Sequence, residues 1–415
     1  MTDNFDGFDE QALSQILTAP DQNFVQNFDE GLYIGMMSGT SLDGMDAVLC
    51  RFGDTGEKVE IIASHSLPFA DDLRDALLAL TTPNQAMEHI KKHQLAFASE
   101  LDLFGWASVY YAHFASQVVL ELLAIANVDA AAVNAIGCHG QTVRHRPEWS
   151  FSLQLLDPNV LAEQTGIAVV SDFRRRDMAV GGQGAPLVPA FHQAMFGGFE
   201  DNPVKAVLNL GGIANITVLD DTNGQVLGFD TGVANLLMDA WIGRHQGVNY
   251  DKDGEWAKSG TIIEPLLALL LEHEFFAKAP PKSTGREEFH LAWLDANLAK
   301  LATQQPELTY TPADVQATLA ELTAVSAANE IGKLIDTGTL AVCGGGALNP
   351  YLLSRLQANL PKLTVVSTAT LGVNPILVEG MAFAWLARQN ILGRTGNVPM
   401  VTGASHAVVL GQVCF

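Results

Sequence analysis

Hydrophobic and polar positions form two similar blocks, placed roughly half the chain apart. In each block, short apolar runs flank a glycine-rich turn, and residues with helical spacing follow. The first block predicts three strands within residues 31–69, and the second predicts three strands within residues 205–230. This repetition predicts an α/β fold with two related domains. If the domains face each other, their glycine turns converge on one cleft, which is a common ligand site.

The rest of the chain is predicted mainly as helices joined by short strands. The predicted helices cover residues 72–80, 87–128, 160–165, 187–196 and 375–390, and the further strands lie within residues 134–140, 167–173, 339–350 and 362–367. Three polar segments, residues 141–147, 174–186 and 282–286, are predicted as loops, although the last could also contact a ligand.

The domain limits follow from this pattern. Residues 1–30 are acidic with isolated phenylalanines, and they are predicted to be a weakly ordered extension. The first domain is predicted to contain residues 31–168 together with about 397–415. The second domain is predicted to contain residues 169–396.

The charge balance limits the partners. Lys and Arg number 23 against 46 Asp and Glu, so the formal net charge is −23. Nucleic acids and anionic membranes attract basic surfaces, so neither is expected as a partner. A phosphate substrate remains compatible, because a few local cations and backbone N–H groups can hold it.

Cysteine usage and the apolar runs favour a cytoplasmic protein. Cys50, Cys138, Cys343 and Cys414 form no paired motif, which is typical of reduced intracellular thiols. The first residues lack a basic region followed by an apolar core, so no signal peptide is expected. No uninterrupted apolar run approaches the ~20 residues of a membrane span.

Three glycine-rich turns each follow an apolar strand, at residues 39–44, 211–212 and 344–346. Backbone N–H groups in such turns can bind nucleotide phosphates, and glycine leaves room for close approach. None of the turns is a Walker A loop. The alternative is that the glycines allow tight packing of strands on helices. The repetition of the pattern favours nucleotide binding.

Two carboxylates are candidates for catalysis. Asp230 lies at the end of an apolar strand, where it could act as a general base, or it could be the N-cap of the next helix. Glu379 lies in an otherwise apolar helix, where it is either a charge favoured by the helix dipole or a buried functional group.

Two polar clusters could bind a sugar or an acid. Arginine forks bind carboxylate and phosphate bidentately, so Arg174, Arg175 and Arg176 are candidates, although structural ion pairs would explain two of them. The polar segment before them offers donors and acceptors for sugar hydroxyls: His139, Gln141, Thr142, Arg144 and His145.

Eight segments together resemble the anhydro-N-acetylmuramic acid kinase family. They are MSGTSLDGMD (residues 37–46), GCHGQTVRH (137–145), SDFRRRDMAVGGQGAPLVPAFH (171–192), NLGGIANIT (209–217), GFDTG (228–232), PKSTGREEF (281–289), CGGGALNP (343–350) and VEGMAFAWLA (378–387). The resemblance covers nearly everything from residue 31 onward. It implies two ribonuclease-H-like (actin-like ATPase) domains around a cleft, in agreement with the repetition.

The resemblance implies an ATP-dependent reaction of peptidoglycan recycling. The 1,6-anhydro ring of anhydro-N-acetylmuramic acid is opened by water, and O6 is phosphorylated to give N-acetylmuramic acid 6-phosphate and ADP. Mg²⁺ is the implied metal, and ATP, water and the anhydro sugar are the implied small-molecule partners. A homodimer is compatible with the resemblance.

The resemblance also assigns residues. Asp230 is the implied base, and the sugar site is implied to contain Ser38, Gln141, Thr142, Arg176, Asp230 and Glu379. The ATP site is implied to contain Gly39, Thr40, Ser41, Leu42, Asp43, Gly44, Met45, Asp46, Gly211, Gly212, Gly344, Gly345 and Gly346. Met37 stands where the wider superfamily usually has a Mg²⁺-linked Asp, so the metal ligands stay unassigned, with Asp43 and Asp46 as candidates.

Two departures and three alternatives complete the expectations. Thr231 precedes Gly232 where the family more usually has proline, and residues 1–30 have no counterpart in the family pattern. Another sugar kinase of the superfamily would share the glycine turns. An ATPase of the actin or chaperone type would need polymer contacts or a peptide-binding domain. A hydrolase of anhydro sugars would not need three phosphate-type turns.

Overall fold

A computed structural model describes residues 30–39, 42–53, 59–82, 84–197, 204–220, 225–286 and 288–415. The predicted extension lies, apart from Glu30, outside the described residues. Thr40 and Ser41, which were assigned to the ATP site, also lie outside them.

The strands fall into two larger sheets and one hairpin. They are β1 Gly31–Met37, β2 Gly44–Phe52, β3 Val59–Pro68, β4 Val133–Cys138, β5 Gln141–Arg146, β6 Phe151–Leu155, β7 Val169–Ser171, β8 Val204–Leu210, β9 Ile213–Asp220, β10 Gln225–Val233, β11 Gly338–Cys343, β12 Leu363–Ser367 and β13 Gln412–Cys414. The first sheet has the order β13-β7-β4-β1-β2-β3, and the second has the order β10-β9-β8-β11-β12.

The two sheets repeat one topology, which confirms the predicted duplication. In the first sheet, β1, β2 and β3 are antiparallel, and β4 and β7 continue in parallel from β1. In the second sheet, β8, β9 and β10 are antiparallel, and β11 and β12 continue in parallel from β8. Each sheet therefore contains the strand order of a ribonuclease-H-like domain.

The helices lie between and around the sheets. They are α1 Asp71–Thr81, α2 Ala86–Lys92, α3 Glu100–Ala126, α4 Pro158–Thr165, α5 Phe173–Met178, α6 Pro189–Phe196, α7 Asn235–Gln246, α8 Glu255–Ser259, α9 Glu264–Leu271, α10 Glu274–Ala277, α11 Leu291–Gln304, α12 Pro312–Ile331, α13 Pro350–Asn359, α14 Val378–Ile391 and α15 Pro399–Thr402. The predicted helices are confirmed with shifts of a few residues at their ends, except that residues 87–128 form two helices, α2 and α3, since Ser99 caps a new helix start.

Two predicted loops are partly wrong. Residues 141–147 were predicted as a loop, but they contain strand β5, which pairs with β6. Its buried positions Gln141 and Val143 alternate with half-buried ones, so the polar side chains suit a half-solvated hairpin. Residues 174–186 were also predicted as a loop, but α5 continues to Met178, and the loop begins after it.

Helix α3 is long and apolar enough by composition to cross a membrane. The expectation drawn from uninterrupted apolar runs did not include it. Its buried side chains, among them Leu103, Tyr111 and Val119, pack in the core of the first sheet. They contact β2, β3, α1 and α4. The inner face of α3 is therefore part of the first core.

Helix α14 lies against the first sheet at unusually short range. Gly35 on β1 and Gly137 on β4 are paired neighbours, and neither has a side chain. A Cβ atom at Gly35 would lie 1.8 Å from the carbonyl oxygen of Gly380, and one at Gly137 would lie 2.0 Å from that of Phe383. The helix backbone thus occupies the space that side chains would need.

The other side of α14 packs against the second sheet. Met381 and Ala384 share one buried cluster with Val207 and Ala341, which belong to β8 and β11. The helix therefore connects the two halves of the molecule. The predicted limit at residue 168 falls just before β7, which pairs with β4 in the first sheet. The domain limits themselves stay a prediction.

Candidate active site

The candidate residues collect where parallel strands of both sheets end. Ser38 follows β1, His139 follows β4, and Asn209 lies near the end of β8. Ligands of α/β proteins commonly bind outside the carboxyl ends of such strands. Helix α14 begins at the same place and contributes Glu379.

Asp230 lies inside β10, five residues after the start of that strand. The strand continues to Val233, and Ala234 is the N-cap of α7, so the proposed N-cap role of Asp230 is wrong. The register of β10 against β9 shifts between Asp230 and Gly232. Such a bulge bends a strand and re-aims its side chains, and bulges are frequent beside active sites.

Backbone groups hold the Asp230 residue in place. Its N–H donates to the carbonyl oxygen of Lys282 at 3.0 Å, and the N–H of Thr284 donates to its Oδ2 at 3.0 Å. Asp230 lines a cavity of about 60 Å³ together with His145 and Ser283. The carboxylate is therefore fixed beside a small space, where it could accept a proton from a bound water.

Glu379 is partly buried in the first turn of α14. Asn209 Nδ2 donates to its Oε1 at 2.9 Å. Burial raises the pKa of Glu379, the bond from Asn209 and the charge of Arg174 lower it, and the charge of Asp46 raises it, with burial dominant. The position thus combines both interpretations offered by the sequence, a helix-start charge and a group withdrawn from water.

A row of polar residues crosses the second sheet between the two carboxylates. Asn209 on β8 pairs with Asn215 on β9, and Asn215 pairs with Asp230 on β10. Paired positions on neighbouring strands direct their side chains to one face. Asp230, Asn215 and Asn209 therefore share a face, and Asn209 reaches Glu379 from it. Asn209 was not predicted as a site residue, although its place at a strand end before a glycine turn was a usable signal.

Ser38 and Gln141 are brought together, as expected for one site. Ser38 Oγ donates to Gln141 Oε1 at 2.8 Å and lies 2.7 Å from the hydroxyl of Tyr111. Ser38 and Gln141 are both 2% exposed. Burial raises the pKa of Tyr111 well above its usual value, so the phenol stays neutral. Thr142 lies beside them and accepts from Gln154 Nε2 at 3.1 Å.

In the arginine cluster, Arg174 is the residue that points inward, whereas the resemblance assigned Arg176 to the sugar site. Arg174 donates from Nε and Nη2 to Nε2 of His139, at 3.1 and 2.8 Å, and from Nη1 to the carbonyl oxygen of Gly184 at 2.7 Å. Arg175 pairs with Asp172, as the structural alternative predicted. Arg176 is exposed on α5, and its role in sugar binding stays a prediction.

His139 is a neutral acceptor for Arg174. Since both N–H groups of the guanidinium point at Nε2, the proton must be on Nδ1, which lies 2.6 Å from the carbonyl oxygen of Gly140. Burial and the neighbouring Arg174 lower the pKa of His139 to about 3. Burial also lowers the pKa of Arg174 to about 10, against the opposing charge of Glu379. A positive charge is thus held close to Glu379.

In the third glycine turn, residues 344–346, two glycines are needed for packing and one faces open space. A Cβ at Gly344 would lie 2.4 Å from Asn209 Oδ1, and one at Gly346 would lie 2.6 Å from Leu210 Cβ. These two glycines allow the turn to pack on the end of β8, as the packing alternative proposed. Gly345 is exposed, and a Cβ there would meet only Asn235 Nδ2, at 3.8 Å.

The second glycine turn meets the start of α7. The carbonyl oxygen of Gly211 accepts from the N–H and the Nδ2 of Asn235, at 3.0 and 2.9 Å. The carbonyl oxygen of Gly212 accepts from the N–H groups of Ala234 and Leu236. A Cβ at Gly211 would meet only the carbonyl oxygen of Ile213, at 3.7 Å. The turn is therefore fixed by its carbonyl groups, and Gly211 leaves space for a ligand.

The first hairpin shows only part of the predicted ATP site. Leu42 donates from its N–H to the carbonyl oxygen of Gly39 at 3.3 Å. The side chains of Leu42 and Met45 are buried in the first core, and a Cβ at Gly44 would lie 2.3 Å from the carbonyl oxygen of Leu67. These three residues thus have packing roles. A contact of the hairpin with ATP stays a prediction.

The two acidic residues of this hairpin face different neighbours. Asp46 accepts from Ser66 Oγ at 2.5 Å, and it lines a small cavity together with Met37 and Glu379. Asp43 is exposed and lies within the electrostatic reach of Asp239. The hairpin therefore presents one carboxylate to α14 and another to the second half.

One acidic residue on α7, Asp239, was not among the site residues predicted from the sequence. A charged residue in a helical segment is expected to be solvated or paired at the surface, but Asp239 is partly buried. Burial and the charges of Asp43 and Asp251 raise its pKa to about 7, and Arg286 opposes them. Asp239 follows Asn235 by four residues, so both lie on one helix face beside the glycine turn. That spacing was the missed signal.

The repeated sheets and the cleft between them define the class. This is a two-domain α/β protein of the actin-like ATPase type, with ribonuclease-H-like halves around a site lined by carboxylates and glycine turns. The family model of anhydro-N-acetylmuramic acid kinase matches residues 31–415, and the chain belongs to that family.

Relatives match over nearly the whole chain. The anhydro-N-acetylmuramic acid kinase of Psychrobacter cryohalolentis is 55% identical over 428 residues, covering 98% of this chain and 100% of the relative. That of Acinetobacter baylyi is 47% identical over 390 residues, covering 92% and 98%. Among solved structures, component A of (R)-2-hydroxyglutaryl-CoA dehydratase from Acidaminococcus fermentans is 10% identical over 87% of this chain and 99% of that chain, with a TM-score of 0.45.

Proposed function

We propose that the protein is an ATP-dependent kinase of 1,6-anhydro-N-acetylmuramic acid. It opens the anhydro ring with water, phosphorylates O6, and releases N-acetylmuramic acid 6-phosphate and ADP in peptidoglycan recycling. The main observation behind this proposal is the position of Asp230, whose carboxylate accepts from the Thr284 N–H and lines a cavity. Membership in the kinase family supports the choice of substrate.

The proposed reaction makes one bond to carbon and one to phosphorus. Asp230 accepts a proton from a water molecule, and the water oxygen attacks C1 of the sugar. The C1–O6 bond breaks, and O6 takes the γ-phosphoryl group of ATP, so that ADP leaves. Phosphoryl transfer of this kind depends mainly on positioning and charge stabilisation. The protein therefore has to fix the water, C1 and the γ-phosphate in one arrangement.

The first half of the chain is the proposed sugar-binding half. Ser38 and Gln141 present a hydroxyl and an amide that their mutual hydrogen bond orients. Tyr111 fixes Ser38 from the other side. Arg176, exposed on α5, would bind the carboxylate of the lactyl group bidentately. Glu379 would hydrogen-bond the sugar or the attacking water.

The second half is the proposed nucleotide-binding half. Gly211 and Gly345 offer open backbone next to the N-terminus of α7, which favours anionic phosphate. Gly344 and Gly346 shape the same turn by packing on β8. Gly39 and Asp43 would approach the phosphates from the first half.

Mg²⁺ fits the carboxylates of this cleft. Within the described ranges, no three His, Cys, Asp or Glu residues form a ready metal cage. Mg²⁺ usually takes one or two carboxylates and completes its shell with phosphate oxygens and water. Asp43 and Asp239, whose charges interact, are such a pair and would hold it. When bound, the ion would neutralise charge on the phosphates.

The remaining parts of the proposal concern partners and location. The formal net charge of −23 supports small-molecule partners and argues against nucleic acid and anionic membranes. The scattered, mostly buried cysteines support a cytoplasmic location. Sedimentation equilibrium would decide whether the chain forms a homodimer.

The test is product formation from ATP, Mg²⁺ and the anhydro sugar. In ¹⁸O-labelled water, we expect a phosphorylated sugar with the label at C1 and none in the phosphate. Asp230→Asn should abolish the product while ATP still binds, because the amide cannot accept the proton. Asp336→Asn, at an exposed site, is the matched control and should leave turnover unchanged.

Other products would support the other classes. Hydrolysis of ATP without a sugar product would support an ATPase of the actin or chaperone type. An opened sugar without phosphate would support a hydrolase. Normal turnover by Asp230→Asn would show that the base is a different residue.

A further inference from the structure

Residues 282–284 run beside Asp230 and contact it twice. The carbonyl oxygen of Lys282 accepts from the Asp230 N–H, and the Thr284 N–H donates to the Asp230 carboxylate, both at 3.0 Å. The position of this segment therefore sets the direction of the carboxylate. Neither contact uses the Lys282 side chain, which points elsewhere.

The Lys282 side chain is buried in an ion pair. Its Nζ lies 2.9 Å from Oε1 of Glu330, and the two side chains are 2% and 7% exposed. Nζ also lies 4.8 Å from the ring centroid of Phe275. A buried ammonium is very unfavourable without its partner, so this pair ties the backbone of residue 282 to one place.

The partner of Lys282 belongs to a rigid element. Glu330 is near the end of α12, a helix whose side chains are mostly buried behind the second sheet. The same helix packs against β10, where a Cβ at Gly232 would lie 3.0 Å from Ser326 Oγ. Helix α12 thus supports both the strand that carries Asp230 and the segment that orients it.

We propose that Lys282, through its ion pair with Glu330, is a positioning residue for the base Asp230. The inference rests on the proposed role of Asp230 as the base. The pair holds residues 282–284 so that the Thr284 N–H donates to one carboxylate oxygen. Such a bond favours the charged carboxylate and restricts its rotation.

Three other titratable groups lie near Asp230 and could contribute to a pH profile: His145, Glu288 and Lys278. His145 lines the same cavity, and burial and the charge of Arg174 lower its pKa to about 4. Glu288 accepts from Thr284 Oγ1 at 2.5 Å and pairs with Lys278. Within the described part of the chain, none of these groups pairs with Glu330, so substitution of Lys282 or Lys333 leaves their own interactions unchanged.

The experiment compares two lysines that share one glutamate. Lys333 also pairs with Glu330, at 3.1 Å, but its side chain is 63% exposed. Lys282→Met should lower kcat on the order of 10²-fold with little change in KM for ATP, since the carboxylate is misplaced. The acid limb of the kcat profile should move to higher pH, because the carboxylate loses a donor. Lys333→Met should change neither.

A double variant separates positioning from folding. Lys282→Met alone leaves Glu330 buried beside only an exposed partner, which destabilises the fold. Lys282→Met with Glu330→Gln removes both charges and should recover much of the thermal stability. We expect kcat to stay low in this variant. Recovery of kcat together with stability would mean that the pair has a purely structural role, and the proposal would be wrong.

A second readout does not depend on turnover. Hydrogen exchange of a peptide spanning residues 282–286 should be faster in full-length Lys282→Met than in Lys333→Met. Equal hydrogen-exchange rates in the two variants would overturn the proposal, whatever their kcat values. Failure of the proposed function is a different result, because it would appear as absence of phosphorylated sugar from the unsubstituted protein.

Discussion

Replacing Gly35 with alanine should push α14 away from the first sheet. The new Cβ would lie 1.8 Å from the carbonyl oxygen of Gly380 and 2.5 Å from the N atom of Ala384. Both are backbone atoms of the helix, so no flexible side chain can move aside. Gly137, the paired neighbour on β4, faces the same helix and gives no extra room.

The size of the effect follows from these distances. Ordinary contact begins near 3.4 Å, so relief from 1.8 Å requires a displacement of 1.6 Å. Overpacking of a tight core typically costs about 1–3 kcal/mol. The helix is packed against the second sheet on its other side, so it cannot move without disturbing the 2.9 Å bond from Asn209 to Glu379. A misplacement of ~1 Å can lower a rate on the order of 10²-fold.

The assay measures both consequences against a matched glycine. Gly105 lies in α3, and a Cβ there would meet nothing within 4 Å. Gly105→Ala should be neutral or stabilising by up to ~1 kcal/mol, since alanine favours helix. Gly35→Ala should lower the urea midpoint and kcat together. If both variants had the same urea midpoint and the same kcat, the reasoning about α14 would be wrong.

Two further predictions concern the pH dependence of stability. Burial raises the pKa of Glu379, so the folded state holds this proton more tightly than the unfolded state, and folding stability is lost as pH rises above about 4.5. In Glu379→Gln, stability should decline less steeply over this range. Urea midpoints from pH 4 to 7 would measure the difference. Burial lowers the pKa of His192 to about 3, so folding stability is lost as pH falls below about 6.5, with a slope near 1.4 kcal/mol per pH unit. His192→Asn should reduce the slope of stability against pH. An unchanged slope would contradict the assignment to His192.

The repeated strands could be predicted from the sequence because their signals are local. Apolar runs and glycine turns show where strands begin and end without knowledge of the partners. Strand β5 was missed, because its polar composition suggested a loop and only pairing with β6 makes it a strand. The close approach of α14 to Gly35 and Gly137 was also out of reach, since it depends on how a helix and a sheet from distant segments meet.

Candidate site residues could be predicted where their chemistry alone is informative. Asp230 and Glu379 were candidates because a carboxylate next to apolar residues is unusual. The distinction between Arg174 and Arg176 depends on the face of α5, and a segment predicted as a loop has no faces. Two residues apart on a helix point in nearly opposite directions. Arg174 therefore reaches His139, whereas Arg176 is exposed.

The origin of the site residues has a consequence for catalysis. Ser38 belongs to the first half, Asp230 belongs to the second, and Glu379 stands on the helix between them. Helix α14 contacts the first sheet through its backbone at Gly35 and packs against the second sheet on its other side, so Glu379 lies where the two halves meet. A rotation of the halves that moved α14 relative to β8 would break the bond from Asn209 to Glu379. Under the proposed roles of Asp230 and Glu379, catalysis requires one relative arrangement of the halves, and the bond from Asn209 to Glu379 would report it.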